Sequence, residues 1–130
     1  MYRAALLRTA HLLLPPIAYY VVALTGLFGR EQPQSMHEAM YWSVPNYIWL
    51  TLPHMIWLFR SYMPKTSELV AHAGFVGAQF ALLLMYALIY FSRPGGGSAW
   101  FVYYPLAIVC ISVSAYIGRH LERRDEPKAA

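Results

Sequence analysis

All sixteen acidic and basic side chains of this 130-residue chain fall outside four windows: Thr9–Phe28, Ala39–Phe59, Leu69–Phe91 and Ala99–Ile117. The windows hold 20, 21, 23 and 19 residues, and none contains Asp, Glu, Lys or Arg. At a helical rise of about 1.5 Å per residue, each reaches about 30 Å, the thickness of a bilayer's hydrocarbon core. A helix of a soluble bundle would instead carry charge along one face at helical period. Charged residues make up 12% of the chain against 58% hydrophobic, where a soluble domain carries roughly 25% charged. That balance also excludes a disordered chain, which needs low hydrophobicity and high charge. The pattern predicts an all-α integral membrane protein. It would be a four-transmembrane-helix bundle in a single membrane domain, residues 1–130, with residues 118–130 (GRHLERRDEPKAA) as a charged, frayed tail.

The connecting segments carry loop chemistry. Gly29–Glu38 (GREQPQSMHE) and Ser92–Ser98 (SRPGGGS) contain helix breakers, and Arg60–Glu68 (RSYMPKTSE) reads as a short polar hairpin. Thr66 or Ser67 is placed to cap the third helix, with Glu68 favourable at its positive end. Arg3, Arg8, Arg60, Lys65, Arg119, Arg123, Arg124 and Lys128 fall on one side of the four spans, and only Arg30 and Arg93 on the other. The positive-inside bias then predicts N-in/C-in topology, with both termini cytoplasmic in a bacterial inner membrane. The basic character is accounted for by topology and anionic headgroups, so the lipid bilayer is a partner and nucleic acid is not.

Several function classes find no residues. The first window exceeds a signal-peptide core and ends without a small-x-small cleavage site, so it is expected to stay as a helix. The single Cys110 excludes an intrachain disulfide and any CxxC site. Gly95-Gly96-Gly97 lacks the spacing of a phosphate loop. Glu31, His37 and Glu38 read as a solvated loop, and no catalytic set stands out, so no enzyme is expected. Aromatic residues fit interfacial belts, with Tyr41, Trp42, Tyr90, Phe91, Trp100, Phe101, Tyr103 and Tyr104 at the outer surface and Trp57, Phe59 and Tyr62 at the inner one.

Polar side chains inside the windows are the candidate sites, because each needs a partner or a cavity in hydrocarbon. With the second and third helices as a hairpin centred on Met63, His54 matches His72 in depth and Asn46 matches Gln79. Two polar layers are therefore expected, joining the helices through hydrogen bonds. His11, His54 and His72 are weak candidates for haem or metal ligation, since two facing imidazoles suffice for axial haem ligation. No cofactor is expected. Ala73, Gly77 and Ala81, together with Gly74 and Ala78, form small-residue stripes on the third helix, and Cys110, Ser114 and Gly118 form one on the fourth. Such stripes permit close backbone approach, either between these two helices or to another membrane protein or a second copy. Pro15, Pro16, Pro45, Pro53 and Pro105 each free a backbone carbonyl and permit a bend. The leading expectation is a non-catalytic inner-membrane protein acting by helix–helix contact, of the immunity or accessory-subunit kind. A small oligomeric transporter or channel is the alternative, followed by a haem- or metal-dependent electron-transfer subunit.

Overall fold

The computed structural model describes residues 2–26, 35–91 and 99–125, and among these every regular element is helical. α1 (Tyr2–Ala10), a 3₁₀ turn (His11–Leu13) and α2 (Leu14–Leu24) follow without a break, and three long helices come after them. These are α3 (Met36–Ser61), α4 (Glu68–Phe91) and α5 (Ala99–Asp125). Three segments are long and apolar enough to cross a membrane: Arg3–Leu24, Glu68–Phe91 and Phe101–Arg124. α3 has 26 residues, but Asn46, Thr51, His54 and two internal prolines dilute its apolarity below that of the other three.

Local chemistry sets the ends. Pro15 and Pro16 stand at the start of α2 and supply no N–H, so the preceding turn tightens to 3₁₀ and the Leu14 N–H bonds to the His11 carbonyl. α2 stops at Leu24, four residues before the charge-free window ends, because Gly26 adopts a left-handed backbone with φ +73°. Ser35 caps α3, accepting the Glu38 N–H at 3.1 Å. Ser67 caps α4, accepting the Val70 N–H at 3.3 Å. α5 runs eight residues beyond its charge-free window, so the first part of the expected tail, through Asp125, is helical. Arg30, Glu31, Arg93, Gly95–Gly97, Lys128 and the last five residues lie outside the described set.

α4 is the central helix. Its small face meets α5 along the most extensive contact in the chain. A Cβ on Gly77 would overlap the Cys110 carbonyl and stand 2.8 Å from the Ser114 hydroxyl oxygen. At the other end of the same seam, a Cβ on Gly118 would lie 2.9 Å from that of Ala73. Ala78 and Ala81 are fully buried. A further small residue, Gly74, accommodates α3: the Trp57 indole lies where a Cβ would stand, and its Nε1–H donates to the Ala71 carbonyl at 2.8 Å. The expected stripes thus bring helices of this chain together. The core beside them holds Tyr19, Leu50, Leu82, Met85, Tyr86, Ile89, Tyr103 and Ala107.

The Arg8 turn of α1, the 62–67 turn and the C-terminal part of α5 share one end of the bundle. Arg8 bonds to Ser61 and Glu68 there, while Gly118 packs on Val70 and Ala73. Arg60, Lys65, Arg119, Arg123 and Arg124 belong to that end as well.

Candidate functional site

A track of polar side chains starts at the basic end and follows α4 inward. Arg8 is buried although charged, and one guanidinium nitrogen donates to the Ser61 carbonyl at 2.8 Å. Another lies 3.3 Å from Glu68 Oε1, and the Tyr62 ring faces the guanidinium carbon at 5.2 Å. Glu68 Oε2 stands 3.6 Å from His72 Nε2, one helical turn along. Next comes His11, whose ring centroid is 5.7 Å from that of His72 and which stacks on Phe75 at 4.5 Å. The Gln79 amide then donates to the His11 carbonyl at 3.4 Å. Glu68 to Gln79 is eleven residue steps along one helix, roughly 16 Å, about half of a bilayer core.

His54 lies at the inner end of this track. It is fully buried, and Gln79, the Leu50 backbone and His11 act on it. Yet neither ring nitrogen is bonded in hydrogen-bonding geometry to any described group. One turn earlier on α3, the Thr51 hydroxyl is also fully buried and unbonded. Beyond them is a second polar cluster of a different kind. Asn46 engages Tyr19 through a hydrogen bond. Tyr86 lies within electrostatic reach of Tyr19 and Tyr103, its buried hydroxyl bonded to no described group.

The four polar-layer residues read from the sequence therefore fall into two layers with altered membership. Gln79 joins His11 and His54, His72 lies against His11 and Glu68, and Asn46 pairs with Tyr19. The reason is register. The contacts of Trp57 with Ala71 and Gly74 centre the α3–α4 hairpin near Pro64 and Lys65, later than Met63, so the residue opposite His54 lies further along α4 than His72.

Proline chemistry explains two of the partnerships. Pro15 cannot donate to the His11 carbonyl, and Pro53 cannot donate to that of Trp49. Gln79 donates to the first, and the Tyr104 hydroxyl donates to the second at 2.9 Å. Beside it, the Tyr103 hydroxyl donates to the Leu50 carbonyl at 2.7 Å. Tyr103 and Tyr104 are thus inter-helix donors, and Trp57 is a packing clamp. Tyr41, Phe59, Tyr62, Tyr90, Phe91 and Phe101 are exposed, as an interfacial belt requires. Sequence reasoning did not single out Arg8, Trp57, Tyr103 or Tyr104 as contacts. Among the described residues, no three His, Cys, Asp or Glu side chains gather where they could hold a metal ion. Compared with known proteins, the chain matches no family model, no curated protein and no solved structure.

Proposed function

We propose that this chain is a membrane protein of four crossings, with α3 as the fourth. Both termini and the 62–67 turn are placed on the cytoplasmic side of a bacterial inner membrane. The convergence of basic residues at one end of the bundle supports that orientation. A fluorescent protein fused to the C-terminus should be bright inside cells, and a dark, exported fusion would reverse the topology.

Within that frame it is a subunit of a small oligomeric transporter or channel. One observation carries the reading: His54 is fully buried inside the bundle with neither ring nitrogen in hydrogen-bonding geometry to a described group, and Gln79, His11 and His72 lie in turn between it and the Glu68 carboxylate, a position that four crossings would put at membrane depth. Ionisable groups at that depth are costly and persist where a solute or ion passes. Four helices enclose little volume, so copies would assemble around or beside the path. Purified protein in liposomes should dissipate an imposed ion or pH gradient faster than protein-free vesicles. Vesicles that remain as tight as empty ones would overturn the reading.

A second reading, non-catalytic contact with another membrane protein or a second copy, is favoured by the open apolar face of α5. Ile108, Val109, Val113, Tyr116 and Ile117 on it are all exposed. The small residues that first suggested such a contact are engaged within the chain, so this face is where a partner helix would lie. Introducing Trp at Val109 should then abolish stoichiometric copurification, and unchanged copurification would remove the reading.

A further inference from the structure

The unbonded groups follow an order along the bundle. On α3, Thr51 precedes His54 by three residues and so shares its face. Tyr86 lies seven residues beyond Gln79 on α4, roughly 10 Å further from the basic end. All three are buried; among the described residues the Thr51 and Tyr86 hydroxyls have no hydrogen-bond partner, and the His54 ring, though the Gln79 amide and the Leu50 backbone lie against it, has neither nitrogen in full hydrogen-bonding geometry. An unsatisfied polar group in an apolar surrounding costs roughly 2–7 kcal/mol. Bound water is the ordinary remedy where two or more such groups are near one another. Each group here both donates and accepts: a neutral imidazole at its two nitrogens, and a hydroxyl at its oxygen.

The oxygens that would strip water from a metal cation are already engaged. The His11 carbonyl takes Gln79, the Leu50 carbonyl takes Tyr103, and the Trp49 carbonyl takes Tyr104. Selective cation pores present rings of free carbonyls or carboxylates. The one carboxylate on the track, Glu68, stays at the boundary beside Arg8 and His72. The other titratable groups facing the column are His11 and Tyr19 from the first span and Tyr103 and Tyr104 from α5.

We propose that His54, Thr51 and Tyr86 hold a file of bound water that carries protons, and not alkali-metal cations, through the middle of the bundle. The proposal rests on the transport reading and names its substrate. A proton accepted at one His54 ring nitrogen releases the proton held at the other. Exchange of tautomers restores the ring, so no net charge stays behind. Thr51 and Tyr86 pass the proton by accepting one O–H···O bond while donating another.

The test uses the full chain in liposomes with an internal pH dye, a potassium gradient and valinomycin for proton flux, and separate vesicles without valinomycin for sodium and potassium flux. Wild type should move protons and neither cation. His54→Phe and Thr51→Val should each cut proton flux roughly tenfold or more. Thr51→Val keeps the side chain's shape, and an unchanged or raised unfolding temperature shows that it folds. Proton flux that survives both substitutions overturns the proposal. Sodium or potassium flux without proton flux overturns it too, while leaving transport standing. Vesicles tight to all three ions overturn the transport reading and this proposal together.

Discussion

α4 joins two regions built on opposite terms. Towards α5 it offers Ala73, Gly77 and Ala81, and backbones meet so closely that a single added carbon overlaps the Cys110 carbonyl at Gly77. Towards α1 and α3 it offers Glu68, His72 and Gln79, which reach Arg8, His11 and the surroundings of His54. The first region gains its stability from dispersion and shape, since lipid supplies no hydrophobic force between helices. The second accepts buried polar groups, among which Arg8 Nε, His11 Nδ1 and both His54 ring nitrogens have no hydrogen-bond partner among the described residues, and under the transport proposal that cost is what a working face bears. The comparison separates what holds the bundle together from the region to which we assign its proposed function.

The sharpest way to break that comparison is Gly77→Leu. The blocking atom is backbone, which cannot swing aside, so the expected loss is about 3 kcal/mol or more, with Gly77→Ala smaller. Thermal unfolding in detergent checks it, and a mild effect would mean that the α4–α5 seam is looser than its geometry. Arg8→Ala comes next. It leaves the Ser61 carbonyl without its charged donor, for an expected loss of about 2 kcal/mol. Glu68 is largely exposed, so the ion pair itself adds little. Arg8→Lys should recover only part of the loss, because one ammonium cannot span both acceptors. Tyr104→Phe removes the donor to the proline-freed Trp49 carbonyl and should cost about 0.6 kcal/mol, the usual worth of an inter-helix bond in a membrane. Thr51→Val should have the smallest effect on stability, and in the opposite direction or near zero, since no protein bond is lost. A loss of more than about 1 kcal/mol would show a protein partner for Thr51.

Much of the architecture was legible from charge placement, because a bilayer core excludes permanent ions and so fixes where helices lie. The Ser67 cap and the small seam of Gly77, Ser114 and Gly118 were legible for local reasons: capping and close approach each demand particular residue types. The polar partnerships were not. A proline announces which carbonyl it frees, four residues back, but the donor comes from another helix whose register the sequence does not carry. Hence Tyr103 and Tyr104 read as interfacial residues, while the structure has them donating to α3. The depth match of His54 with His72 failed to anticipate Gln79 for a related reason. A shift of a residue or two at a turn centre changes every opposed pair along the hairpin. Arg8 read as one more inner-side cation because burial of a charge is invisible without its partners.

The central claim is that the polar face of α4 meets water at membrane depth while the α5 seam is dry. Water-edited solid-state NMR on protein labelled at histidine, glycine and alanine in lipid bilayers tests this most directly, with His54 assigned by its loss in His54→Phe. The account predicts that His54 ring signals build up from water magnetisation as fast as those of exposed His120, while backbone signals of Gly77 and Ala78 stay slow. His54 signals that build up no faster than Gly77 would place the histidine in dry packing and contradict the account.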